Sequence, residues 1–252
     1  GVPGHGKSEF LDFISAKLNI NHGWKFAMYS PENYPLQLHF SKYAEKFIGK
    51  PFSGAEKLNP MELRLAKNYF ENNFYFIKPE SDFSLDNIMD KVKQLVKQKG
   101  IDAFVIDAWN KIEHNYSTNE TKYISEVLDK LALFCESNMV HLFLVAHPTK
   151  VMKDKKTGLI EVPNLYSISG SANFYNKTSN GITVYLNRQT QKTEVHIQKV
   201  KFKHWGQVGL VELFWNRLNG RYYEQCPDND NWINNVEQSQ MILESATNDA
   251  PF

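Results

Sequence analysis

The chain opens on Gly1-Val2-Pro3-Gly4-His5-Gly6-Lys7-Ser8, which fits G-x-x-x-x-G-K-[ST], and no other stretch restricts the fold as much. Glycines allow a backbone to wrap with its N–H groups pointing inward, and a helix starting at the end of such a loop adds about half a positive charge. Phe10, Leu11, Ile14 and Leu18 recur behind the loop at helical spacing. The pattern predicts a polyphosphate cradle built from Gly1, Gly4, His5, Gly6, Lys7, Ser8 and Glu9, with Lys7 reaching the β and γ phosphates of ATP and Ser8 ligating Mg²⁺. Such loops ordinarily follow a buried strand. With nothing ahead of Gly1, the first core strand is expected to be absent, and the chain reads as a piece of a longer protein.

The remaining pattern alternates strands and helices. A short apolar run, Lys25 to Tyr29, follows Gly23, and Pro35 falls in the first turn of a helix reaching Phe47. Asn59-Pro60 opens a helix ending near Asn72, and Phe74 to Ile77 reads as a strand. Ser84 caps a helix that presents Ile88, Val92, Leu95 and Val96 and stops at Gly100. Ala103 to Ile106 is a strand, Thr121 to Glu136 an amphipathic helix, and Val140 to Ala146 a strand apolar enough to be covered on both faces. Alternation of this kind predicts an α/β fold, a mainly parallel sheet flanked by helices. From Gly181 onward consecutive strand-like runs, Ile182 to Leu186, Glu194 to Val200 and Val208 to Trp215, with Asn219-Gly220 as a tight turn, predict an antiparallel C-terminal extension. We take 1–226 as one ATPase-type domain and 227–252 as a polar, loosely held tail. No run approaches a membrane span, and a cytoplasmic location is expected. The two cysteines, Cys135 and Cys226, have no CxxC partner and support neither a disulfide framework nor a zinc site.

A phosphate loop needs a second carboxylate at the end of a buried strand to hold the metal, and Phe104-Val105-Ile106-Asp107 supplies it. Ala108 and Trp109 follow, so no adjacent acid is present to activate water. Glu32, in Ser30-Pro31-Glu32 just past an earlier strand, is the candidate general base, because parallel strand ends share one edge. Asn110-Lys111-Ile112-Glu113 is the nearest approach to the guanine-reading N-K-x-D, but it has the wrong acid and abuts the metal strand. His147 ends the strand from Val140, placed to touch the γ phosphate and report its loss. The loop behind it carries Lys150, Lys153, Lys155 and Lys156. Net charge is only +1, so phosphate-backbone binding must be local; copies in a ring would gather those lysines in one channel.

Gly1 to Ser8, Ser30-Pro31-Glu32, Val105-Ile106-Asp107, Val145-Ala146-His147-Pro148, Ile168-Ser169-Gly170-Ser171-Ala172 and Lys199-Val200-Lys201-Phe202 stand in the order found in DnaB-like replicative helicases. The chain resembles the phage primase-helicase and Twinkle-like branch of that family over nearly its whole length. The resemblance implies a RecA-like fold and ATP hydrolysis coupled to translocation on single-stranded DNA in a homo-oligomer, a hexameric ring, with a primase or other N-terminal domain upstream. It implies that Glu32 is the hydrolytic base, His147 the γ-phosphate sensor and the lysine loop the DNA contact, while Lys199 and Lys201 reach a neighbouring subunit's site. The family usually has arginine where Lys201 stands, and Lys203 or Arg188 are the substitutes available. A RecA or RadA-like recombinase, and a P-loop ATPase that does not act on DNA, remain alternatives.

Overall fold

The computed structural model describes residues 1–79, 81–114, 119–149, 160–168 and 171–236. Helix α1 (Lys7–His22) starts at Gly6 and ends at Gly23, whose N–H returns to the Asn19 carbonyl at 2.8 Å. Strand β1 (Phe26–Tyr29), helices α2 (Leu36–Ile48) and α3 (Pro60–Asn73), strand β2 (Phe74–Phe76), helix α4 (Leu85–Lys99) and strand β3 (Ala103–Asp107) follow. Helix α5 (Glu120–Asn138), strand β4 (His141–Val145) and helix α6 (Ser171–Lys177) complete the alternating part. The start signals act as their chemistry predicts. Asn59 and Glu62 form a reciprocal capping box on α3, and the Ser84 hydroxyl accepts from the Asn87 N–H on α4. Pro35 is the residue before α2 and not a member of its first turn.

The strands pair in parallel in the order β2-β1-β3-β4. Alternation along β1 and β3 divides the core between two faces. Phe26, Met28, Ala103 and Val105 pack toward α1, α2 and α3, whereas Ala27, Tyr29, Phe104 and Ile106 pack toward α4 and α5. β1 and β3 are buried throughout, as interior strands must be. β4 is not: it pairs with β3 alone among the described residues, and its residues are half-buried or exposed, which corrects the expectation of a strand covered on both faces. Among the described residues no strand precedes α1.

The antiparallel extension consists of β5 (Asn180–Asn187), β6 (Lys192–Val200), β7 (Gly209–Trp215) and β8 (Tyr222–Tyr223), in that spatial order. Asn219-Gly220 makes the turn between β7 and β8, with Gly220 at φ 67° and its N–H on the Asn216 carbonyl at 2.8 Å.

The stretch expected to be loose from residue 227 is tied to the core at least as far as 236. Residues 232–236 are helical, and Trp232 and Ile233 are buried with the α1–α3 cluster. Arg221 makes the tie. Its guanidinium donates to the Lys46 carbonyl at the end of α2 (2.7 and 2.9 Å), to the Asp228 carboxylate (2.8 Å) and to the Asp230 carbonyl (2.6 Å), and lies 3.7 Å over the Trp232 ring. Residues 237–252 lie outside the described residues. Among the described residues no helix is long and apolar enough to cross a membrane.

Candidate active site

Parallel pairing brings the C-terminal ends of β1, β3 and β4 to one edge of the sheet, with Tyr29 opposite Ile106 and Asp107 opposite Val145. The residues just past those ends, Ser30 and Glu32, Asp107, and His147, therefore share that edge with the start of α1. The loop there is shaped by Gly4 at φ 75° and Gly6 at φ 83°, where a side chain would be strained. Gly6 provides no side-chain cap, so the first-turn N–H groups of α1 keep no side-chain acceptor of their own.

Lys7 rests its ammonium on the Val2 carbonyl at 3.0 Å. Burial lowers its pKa, and the charges of Asp107 and Glu32 oppose that, which puts all three groups within electrostatic reach of one another. Asp107 is 3% exposed; it accepts from the Ser30 hydroxyl at 3.3 Å and the Asn33 amide at 3.4 Å. Its pKa is raised, chiefly by burial and further by the nearby Asp12 and Glu32 carboxylates, against hydrogen bonds from Ser8 and Ser30 that stabilise the ionised form. A buried carboxylate hydrogen-bonded to Ser8 is a donor set that fits a divalent cation. Among the described residues no group of three or more His, Cys, Asp and Glu side chains converges, so a metal held by Ser8 and Asp107 would draw its other ligands from phosphate and water.

The His147 Nδ1 is buried and has no hydrogen-bond partner among the described residues. Burial first, then the charges of Lys7 and Lys111, hold its pKa below the ordinary histidine value, so the ring is neutral at pH 7. An orphaned ring nitrogen beside Lys7 fits a polar ligand in this cleft. Glu32 is partly exposed and pairs with Lys111 at 3.5 Å.

Other predicted residues are placed differently. His5 does not present its ring to the cradle: Nδ1 accepts from the Leu186 N–H at 3.1 Å and the ring packs on Tyr185, so it clamps the loop to β5. The Glu9 carboxylate pairs with Lys46 and, at 3.2 Å, with Lys42, leaving only its backbone to the loop. Together with Asp12, His39 (2.9 Å) and Lys42 (3.4 Å) it forms a charged network between α1 and α2 that sequence reading missed. Gly1 abuts β5, where a Cβ would meet the Val184 carbonyl oxygen at 2.2 Å. Lys199 is occupied within its own subunit, donating to the Tyr175 and Asn176 carbonyls at the end of α6. Lys201 is exposed just past β6. Arg188 lines a cleft with His5, Tyr185, Asn187 and Ile160 and lowers the His5 pKa after burial has done so, which places it beside its own loop. Lys150, Lys153, Lys155 and Lys156, and Ser169 and Gly170, lie outside the described residues. Ser30, Asn33 and Lys111 were not singled out by sequence; the only signal for the first two was their place around Glu32.

Fold and site together define a P-loop domain of the RecA-like kind. The chain is similar to the Twinkle homolog protein, chloroplastic/mitochondrial, of Arabidopsis thaliana, at 36% identity over 237 residues, covering 88% of this chain and 33% of that protein. It thus spans about a third of the length of the curated relative it matches. Among solved structures it superposes on an ATPase domain with a TM-score of 0.73, over 89% of this chain and 82% of that one; at 16% identity this likeness speaks for the fold alone. No protein-family model matches the chain. The chain has the RecA-like fold, and its likeness to the Twinkle homolog supports a DnaB-like helicase domain.

Proposed function

We propose that this chain is the motor domain of a ring-forming replicative DNA helicase, hydrolysing ATP and using it to move along single-stranded DNA. One observation carries the reading: Lys7, the buried Asp107, Glu32 and a neutral His147 with an orphaned Nδ1 meet at a single sheet edge around an uncapped helix start. ATP is the substrate. Mg²⁺, where bound, supplies Lewis-acid charge to the phosphate oxygens. Ser8 and Asp107 would hold it, and Ser30 and Asn33 fix the Asp107 carboxylate that faces it. Lys7 leaves the Val2 carbonyl for a phosphate oxygen. Glu32 accepts the proton of the attacking water. His147, unprotonated, offers a ring N–H or lone pair that responds to the γ phosphate.

Hydrolysis between subunits of a hexamer would bring Lys201 to the neighbour's site, and the same ring would line a channel with Lys150, Lys153, Lys155 and Lys156. Lys199 fits that trans role less well, being held on α6. A cytoplasmic location and a primase or other domain elsewhere in a longer protein belong to the same proposal. The test is ATP turnover with and without single-stranded DNA, alongside mass in solution. Turnover stimulated by DNA in a closed hexamer supports the reading. Turnover indifferent to DNA, or a filament of variable length, overturns it.

A further inference from the structure

Lys111 stands beside the cleft with no role in the scheme above. It closes the short 3-10 turn Trp109–Lys111 that follows β3, and its ammonium lies 3.5 Å from the Glu32 carboxylate. Glu32 sits in the equivalent turn, Pro31–Asn33, that follows β1. β1 and β3 are hydrogen-bonded neighbours, so the two turns leave the sheet side by side. A second bond locks them together at the backbone: the Tyr29 hydroxyl donates to the Lys111 carbonyl at 2.7 Å. Tyr29 is buried, and this bond fixes residue 111 against the end of β1 independently of the lysine side chain.

Among the described residues the charges facing Glu32 are Lys7 from α1, Asp107 from β3, His147 from beyond β4, and Lys111. Asp107 repels it. In the proposed function Lys7 is engaged by phosphate and His147 is neutral. Among the described residues Lys111 is then the cation left to set where the Glu32 carboxylate points. Glu32 lies on an exposed turn and has freedom to rotate away, so a general base placed there requires something to hold it. Both side chains are partly exposed, so the pair contributes little to folding stability, and its consequence is positional.

We propose that Lys111 is a positioning residue that holds Glu32 aimed into the cleft for hydrolysis. This rests on Glu32 being the base. Its role is to act through the Glu32 carboxylate, which it pairs with at 3.5 Å. Steady-state ATP turnover by the full chain, with saturating single-stranded DNA, tests it. Lys111→Met should lower kcat roughly tenfold with the KM for magnesium ATP unchanged, since aim is lost and binding is not. Lys111→Arg, which keeps the charge within reach, should restore most of the rate. The double variant Glu32→Gln/Lys111→Met should be no slower than Glu32→Gln alone, because the lysine acts only through the carboxylate. Melting temperature should not change, because the Tyr29 bond uses the backbone of residue 111.

Three results overturn the proposal. If Lys111→Met turns over at the parental rate while Glu32→Gln is inactive, the base stands and the lysine role falls. If Glu32→Gln keeps the parental rate, the base reading itself fails and carries this proposal with it. If Lys111→Arg is as slow as Lys111→Met and both melt early, residue 111 is a folding contact only.

Discussion

The Ser30 hydroxyl reaches across from the end of β1 to the Asp107 carboxylate at the end of β3, 3.3 Å away in a buried setting. Asn33 adds its amide to the same oxygen at 3.4 Å. A carboxylate whose pKa burial has raised is thereby kept oriented and biased toward its ionised form. Asp107→Asn should lower turnover on the order of a hundredfold or more, because the charge proposed to hold the cation is gone. Ser30→Ala keeps that charge and loses its orientation. It should raise the Mg²⁺ needed for half-maximal turnover by roughly tenfold, with the rate at saturating metal nearly restored. A Ser30→Ala enzyme with the parental Mg²⁺ dependence would show that the bond does not matter.

In the proposed scheme Lys7 exchanges the Val2 carbonyl, which it holds at 3.0 Å, for a phosphate oxygen. Ligand at about 100 times its Kd stabilises a protein by about 2.7 kcal/mol. For a domain of this size that is a rise in melting temperature of about 5–10 °C. Magnesium ATP should produce such a rise in the parent and little or none in Lys7→Ala, whose own melting temperature without nucleotide should stay close to the parent's. An undiminished rise in Lys7→Ala would remove the lysine from the phosphate site.

Much of this was legible in the sequence, for local reasons. Gly23, Asn59, Ser84 and Gly100 stop or start helices through contacts a few residues long, and the apolar run before Asp107 can only be a buried strand. What was missed depends on distant partners. Whether β4 is covered is decided by what pairs with it, and its own apolar residues do not carry that information. His5 looks like a loop residue until Leu186, 181 positions on, claims its ring. Lys111 was visible only as part of a rejected guanine pattern, since its partner belongs to a different strand's exit turn.

The proposed trans role of Lys201 allows a complementation test. Lys7→Ala should be inactive at its own loop but still present Lys201; Lys201→Ala has an intact loop but no cation to offer. Each alone should turn over at least roughly tenfold more slowly than the parent. Mixed before assembly, they create interfaces with both parts intact, and activity should reappear. Lack of recovery in mixed, properly assembled protein would sink the trans assignment.

Between α1 and α2, Asp12 lies buried against His39 and Lys42. Burial pushes its pKa up, but His39, then Lys42 and Lys46, more than offset that, and the net direction is down. A carboxyl with a lowered folded-state pKa contributes stability that is present above its unfolded value, about 3.9, and lost as pH falls through the folded value. Urea unfolding from pH 7 downward should therefore show stability falling steeply below about pH 4 in the parent. Asp12→Asn should be less stable by about 3 kcal/mol at pH 7, with the gap closing in acid. A gap independent of pH would mean that the carboxylate charge is not what the network uses.

Arg221 shows how a polar-looking tail becomes structural. Its guanidinium is 1% exposed, and its pKa is lowered to about 10 by burial in spite of the opposing charges of Asp228 and Asp230. It stays charged at neutral pH, and its fork of donors satisfies the Lys46 carbonyl near the end of α2 twice over while stacking on Trp232. Removing it leaves the Lys46 and Asp230 carbonyls without the guanidinium donors, takes the opposite charge from Asp228 and opens space over Trp232. Arg221→Ala should cost about 3–5 kcal/mol, a fall in melting temperature of roughly 6–20 °C. Arg221→Lys should recover only a minor part, because one ammonium cannot span the carbonyls of residues 46 and 230 and the Asp228 carboxylate together. If Lys replaced Arg at no cost in thermal unfolding, charge alone would hold the segment, and the planar fork would be irrelevant to how residues 228–236 are docked.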